Sequence, residues 1–306
     1  MNVVLGFDGG GTKTDCVVMN EAGEIVARAK GPASNPTRIG FPAALSGVTE
    51  AADAALRAAA QPVQVVALCA GLAGTGADEN RRRMFQLISG RFPHAAVKVC
   101  TDLELPLFAM PNGPAIALIV GTGSAAVGRN AASEVLREGG LGPANSDEGS
   151  AFDIGRSAIA AARRADSDEA ADLARQILRH LGAGHWNDVD AAISKNADTV
   201  YPRVFPVVAA AADAGNALAQ SFLNTAAAQL AAMSARLAAK LELGQSAFPL
   251  AKVGGTVGRS RFFDAAIDRS LSSLLPNAAV STPAVDPPAI AARIAWQAFR
   301  EGAQAH

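Results

Sequence analysis

VVLGFDGGGTKT, residues 3–14, decides the fold. Four apolar residues and a glycine form a short run of the kind that fills a buried strand, and the run stops at Asp8 and three glycines. The next segment is not helical. Residues 14–20 and 24–30 read as two further strands joined by a turn at 21–24. The chain therefore opens with three antiparallel strands, which separates it from a doubly wound βαβ start. The motif lacks the GxxxxGK[ST] spacing of a Walker loop and the strand-to-helix context of a dinucleotide fingerprint. Three glycines in a strand-to-strand turn let the backbone approach a ligand closely, and their N–H groups can cradle an anion. Thr12 and Lys13 would add donors, and Asp8 is placed to hold Mg²⁺ through water. The plainer alternative is a glycine-rich hairpin.

Working outward, residues 38–60 read as one helix, 63–70 as a strand, 78–91 as a charged helix and 97–101 as a strand ending at Asp102. A short helix then runs to about 110. Pro111-Asn112-Gly113-Pro114 is the best linker candidate. Beyond it an apolar run, 115–120, ends in Gly121-Thr122-Gly123-Ser124, and another, 250–255, ends in Gly254-Gly255. The intervening chain is alanine-rich and helical. Its clearest helix, 216–243, carries Leu218, Phe222, Leu230, Met233, Leu237 and Leu241 at spacings of three or four, a core stripe. Both halves open with a strand that ends in a Gly-Thr loop, a faint internal repeat. Three strand-terminal glycine loops suit a nucleotide whose phosphates are gripped by backbone amides.

Composition narrows the function. The chain has 306 residues, half of them apolar and 18% charged, with a formal net charge of −1. This excludes disorder and gives no basic footprint for nucleic acid. No apolar run reaches membrane-spanning length, and residues 1–10 do not read as a secretion signal, so a cytoplasmic protein is expected. Cys16, Cys69 and Cys100 have no metal-ligand spacing and read as small buried residues. Among polar residues, Asp102 at a strand end is either a cap for the following helix or a base facing a ligand. Asp147, just before an expected helix over 149–164, is either a cap or a carboxylate that grips a ligand's hydroxyls. Asn35 is either a turn residue or an amide that reads a ligand's polar groups.

The ordered set FDGGGTKT, SNPTRIG, TDLELPLFA, VGTGS, GGLGPANSDEGSA and VGG resembles the N-acetylglucosamine kinase and BadF/BadG/BcrA/BcrD ATPase family. The resemblance covers nearly the whole chain and is densest over 1–155. It implies an α/β fold of two ribonuclease-H-like, actin-like lobes around a nucleotide cleft. The lobes would be 1–113, completed by a C-terminal helix 286–302, and 114–285. It implies ATP and Mg²⁺, with phosphates against Gly9, Gly10, Gly11, Thr12 and Lys13 and against Gly121, Thr122, Gly123 and Ser124. The nucleoside side would lie near Gly254 and Gly255, and the metal near Asp8. The amino sugar would be held by Asn35, Asp102, Gly140, Leu141 and Asp147, with Asp102 as the base for transfer to the 6-hydroxyl of N-acetylglucosamine. Glucosamine is the nearest rival substrate, and a sugar-independent ATPase module the rival of another class. A homodimer through the second lobe is implied. The stretch 143–146, Pro-Ala-Asn-Ser, departs from the family's bulkier, glycine-containing segment and bears on the acetyl pocket. No cysteine lies near 121–165, unlike the iron–sulfur branch of the family.

Overall fold

A computed structural model describes residues 1–142 and 146–304. The chain packs as two compact units, Met1–Ala109 with the chain from Val285 onward, and Met110–Ala284. Both are mixed α/β.

The first unit holds strands β1 (Asn2–Gly9), β2 (Thr14–Asn20), β3 (Ile25–Gly31), β4 (Gln64–Leu72) and β5 (Ala96–Cys100). They lie in the order β3-β2-β1-β4-β5. β1 runs antiparallel to β2 and parallel to β4, and β4 runs parallel to β5. Alternate residues of the sheet face opposite cores, as the pleat demands. Val3, Leu5, Phe7, Leu68 and Ala70 pack with Ala44, Val48, Met84 and Ile88 of the helices Phe41–Ala58 and Asp78–Arg91. Val4, Ala67, Cys69 and Cys100 pack on the other face with Ala292, Ala295 and Trp296 of the helix Pro287–Gln304. That helix comes so close that a Cβ on Gly6 would strike the Pro288 carbonyl and the Ala292 amide.

The single helix expected over 38–60 is two. Pro36–Ile39 and Phe41–Ala58 are separated by Gly40, whose φ of 81° breaks the helical path.

The second unit holds β6 (Ala115–Val120), β7 (Ser124–Arg129), β8 (Val135–Gly139), β9 (Phe248–Val253) and β10 (Ala278–Ser281), in the order β10-β9-β6-β7-β8. β6 pairs antiparallel with β7, β7 antiparallel with β8, and β6 and β10 each parallel with β9. Read from its first strand, this is the arrangement of the first unit, so the faint repeat is a repeat of whole sheets. The helix Ala217–Lys240 buries Leu230, Met233 and Leu237 against the sheet, with Leu218 and Phe222 packed at the margin. None of the described helices is long and apolar enough to cross a membrane.

Candidate functional site

In each unit the chemistry-bearing residues gather where parallel strands end. In the first, Asp8 pairs in register with Gly71 of β4, and Gly71 with Cys100 of β5. Asp8 and Asp102 thus come off β1 and β5 at one edge, with β4 and its Gly71 between them. Gly71 is required there, because a Cβ would press into the Leu105 side chain.

The loop after β1 is anchored at both sides. Gly10 donates its N–H to the Lys13 carbonyl at 2.9 Å, and the Gly9 and Gly10 carbonyls accept from Ala73 at 2.8 Å and Ser34 at 3.0 Å. The buried Thr14 hydroxyl, 2.8 Å from that of Ser34, ties β2 to the loop. No room remains for a side chain at Gly9, whose Cβ would strike the Ser34 hydroxyl and approach Leu72 to 2.6 Å. The N–H groups of Gly11, Thr12 and Lys13 donate to no protein acceptor among the described residues. Such a run of unspent amides suits an anion. The Lys13 ammonium donates to Asp15 at 2.5 Å.

Asp102 does not cap its turn. Thr101 takes the N-cap position, and the Glu104 carboxylate accepts from the Thr101 hydroxyl at 3.0 Å and its N–H at 3.3 Å. Asp102 is the first residue inside the turn. Asp8 carries the electrostatic signature of this edge. Its pKa is pushed from 3.8 to about 6, first by burial, then by the negative charges of Asp102, Asp15 and Asp286, with Lys13 opposing. A hard divalent cation held through water would relieve the same repulsion, so Asp8 fits the expected Mg²⁺. No cluster of three or more metal-ligating side chains exists among the described residues.

Asn35 takes the turn-residue role. Its Oδ1 caps the short helix, accepting from the Thr37 N–H at 3.0 Å and hydroxyl at 2.7 Å. Its Nδ2 makes no hydrogen bond among the described residues. Gly74, at φ 83°, lies so close that a Cβ there would collide with the Asn35 oxygen.

In the second unit, Gly121-Thr122-Gly123 forms the tight turn between β6 and β7, closed by a 2.9 Å bond from the Gly121 N–H to the Gly123 carbonyl. The loop after β9 meets the end of β6: Thr256 gives its hydroxyl to the Val120 carbonyl at 2.8 Å, and a Cβ on Gly254 would strike that carbonyl. The N–H groups of Thr122, Gly123 and Gly255 have no protein acceptor among the described residues. Ser124 gives its hydroxyl to the Glu148 carbonyl at 2.8 Å.

Asp147 is likewise not a cap; Ser150 caps the helix Ala151–Ala162. Asp147 instead folds back over Gly123, occupying the space a Cβ would need, and accepts from the Gly142 N–H at 3.2 Å. It is 8% exposed, and burial raises its pKa, with the Gly142 amide pulling down and Asp198 pushing up. The Gly140 N–H donates to the Ser124 carbonyl, and that of Leu141 to the Ser146 hydroxyl, so these backbone amides shape the loop. Residues 143–145, most of the stretch that departs from the family pattern, lie outside the described residues.

Some structural members of the site carry no strong sequence mark. The wholly buried Thr75 hydroxyl lies 2.7 Å from the Leu72 carbonyl and 3.0 Å from that of Cys100, stitching β4 to β5. Arg81 reaches the Thr75 carbonyl at 3.4 Å and Glu104 at 3.5 Å. The Thr101-x-x-Glu104 spacing, a capping-box pattern, is the legible clue to this group.

The chain is similar to several known proteins. An N-acetyl-D-glucosamine kinase of Dictyostelium discoideum is 24% identical over 310 residues, covering 96% of this chain and 97% of its own. An N-acetylmuramic acid/N-acetylglucosamine kinase of Clostridium acetobutylicum is 32% identical over 165 residues, 53% of this chain and 54% of its own. The crystal structure of a candidate N-acetylglucosamine kinase from Chromobacterium violaceum superposes with a TM-score of 0.72 at 23% identity, covering 95% of this chain and 98% of that one, which shows a shared fold. The model of the BadF/BadG/BcrA/BcrD ATPase family matches residues 5–287, and the chain belongs to that family.

Proposed function

We propose that the protein is an ATP-dependent amino-sugar kinase that transfers the γ-phosphoryl group of ATP to the 6-hydroxyl of N-acetylglucosamine. The observation that carries this reading is the placement of Asp8 and Asp102 at the same end of one sheet, beside a loop of unspent amides. Two relatives named as N-acetylglucosamine kinases support the choice of sugar.

The roles divide by chemistry. Asp102, not spent on capping, orients the sugar hydroxyl and accepts its proton as the new O–P bond forms. The bond from the γ-phosphorus to the β–γ bridging oxygen breaks, and ADP leaves with that electron pair. The loops of residues 9–13 and 121–124 are assigned to the phosphates through the unspent amides of Gly11, Thr12, Lys13, Thr122 and Gly123, with Lys13 exchanging Asp15 for phosphate oxygen. Asp8 would hold Mg²⁺ through water, and the ion would offset phosphate charge. Gly254 and Gly255 are assigned to the nucleoside side. The Asn35 amide nitrogen donates to the sugar, and Asp147 accepts from a sugar hydroxyl. Most of the acceleration comes from positioning and fixed dipoles.

The test is ADP release with Mg²⁺ and ATP against no sugar, glucose, glucosamine, N-acetylglucosamine and N-acetylmannosamine. Highest turnover with N-acetylglucosamine supports the reading, and a higher rate with glucosamine moves the substrate to the free amine. Equal release with and without every sugar overturns the kinase and leaves a sugar-independent ATPase.

A further inference from the structure

We infer that Glu104 and Arg81 are positioning residues for Asp102, forming a frame that fixes the angle at which its carboxylate leaves the end of β5. The inference rests on the kinase reading for its kinetic consequence and on the structure for the frame itself.

Asp102 directly follows a residue that Glu104 holds at two points. On one side is Thr101, whose N–H and hydroxyl both donate to Glu104 Oε1, at 3.3 and 3.0 Å. On the other side the chain turns back so that Glu104 can reach them. The backbone closes this turn with a 3.1 Å bond from the Glu104 N–H to the Thr101 carbonyl. One carboxylate oxygen thus fixes the residue before Asp102, and the turn fixes the residue after it.

The frame continues into the helix Asp78–Arg91. Arg81 Nη2 donates to the same Glu104 oxygen at 3.5 Å, and Arg81 Nε to the Thr75 carbonyl at 3.4 Å. Thr75 in turn joins the ends of β4 and β5 through the Leu72 and Cys100 carbonyls. Asn80, one residue earlier, donates to the Gly74 carbonyl at 3.1 Å, and Gly74 abuts the Asn35 amide. A single helical turn, Asn80-Arg81, therefore braces the segments that carry both Asp102 and Asn35.

The burial pattern argues for alignment over bulk stability. The Glu104 side chain is 13% exposed and that of Arg81 37%. The Arg81–Glu104 contact is long, at 3.5 Å, and its guanidinium is partly in water, so the ion pair itself contributes little to folding. Its geometric effect is larger, because a base displaced by about 1 Å can lose ~10²-fold in rate. Arg81 also offsets the charge that Glu104 adds beside an edge already crowded with carboxylates.

The experiment compares Glu104→Ala, Glu104→Gln and Arg81→Lys with the unaltered protein, measuring kcat, KM for sugar and for ATP, melting temperature, and amide hydrogen exchange over residues 99–106. Glu104→Ala is expected to lower kcat ~10-fold or more, leave both KM values within about threefold, and speed exchange at 101–105. Glu104→Gln, whose amide oxygen still accepts from Thr101, is expected to restore most of the rate and the protection. Arg81→Lys keeps the charge and should lose less than Glu104→Ala. Full kcat and unchanged exchange in Glu104→Ala overturn the inference, as does a lowered melting temperature with unchanged kcat per folded molecule. If the unaltered protein shows no sugar-dependent turnover, the kinase reading fails separately. The frame then stands or falls on exchange alone: faster in Glu104→Ala and recovered in Glu104→Gln, or unchanged.

Discussion

The charge of Asp102 is the strongest influence, after burial itself, that keeps a proton on Asp8 up to about pH 6. The two carboxylates come off β1 and β5, on either side of β4, and the charge of Asp102 raises the cost of ionising Asp8. Without a cation this costs stability, a cost commonly stored at functional sites.

That relationship sets the sign of the pH dependence. The Asp8 pKa is raised from 3.8 in the unfolded chain to about 6 in the native one. The contribution of this group is fully present below about pH 4 and is lost as pH rises through 6. Asp8→Asn is therefore expected to raise the melting temperature of ligand-free protein at pH 7.5, on the order of 3 °C, with no gain at pH 4. Thermal melts from pH 4 to 8 check this. The same variant should bind MgATP poorly.

Asp102→Asn retains the turn, because Thr101 and Glu104 hold it. The fold and sugar binding should persist while kcat falls at least ~10²-fold. A near-normal rate in coupled ADP assays would remove Asp102 from the role of base.

Asn35 separates capping from recognition. Asn35→Asp keeps an oxygen for Thr37, and Asp and Asn cap equally well. The melting temperature should stay close to that of the unaltered protein while KM for sugar rises ~10-fold, the loss of roughly one hydrogen bond. Asn35→Ala should add a stability loss of ~1 kcal/mol.

Gly123 and Asp147 form a coupled pair. A methyl at 123 would occupy the position of the Asp147 carboxylate. Gly123→Ala is expected to cost about 1–3 kcal/mol and to raise KM for sugar by displacing Asp147. In a Gly123→Ala/Asp147→Ala double variant the stability losses should fall short of additive, measured by denaturant melts.

How much of the molecule is legible in its sequence depends on whether the signal is local. β1, β2 and the helix Asp78–Arg91 stand at or near their expected places, because apolar runs and helix-forming segments act over a few positions. Gly40 breaks an expected helix because one residue at positive φ outweighs good helix formers around it. β7 and β8 carry little local signal: SAAVGR and VLREG are poor in the branched and aromatic residues of a strand, and their pairing with β6 and with each other supplies what propensity does not. At the site, the glycine loops and the two aspartates stand out as candidates. Whether Asp102 and Asp147 are caps depends on Thr101 and Ser150, nearby residues that compete for the same helix ends. The brace from Arg81 through Thr75 joins segments that only tertiary contact brings together.

The helix Pro287–Gln304 closes one face of a sheet whose first strand begins at Asn2. A ribosome delivers the strand long before the helix. The second unit is a continuous stretch and can complete itself while the first still lacks a wall. During synthesis Val4, Ala67 and Cys69 must wait, uncovered, for almost the whole chain to emerge. Chaperone demand and sensitivity to premature termination will concentrate on that apolar face, although the sequence that forms it is translated first.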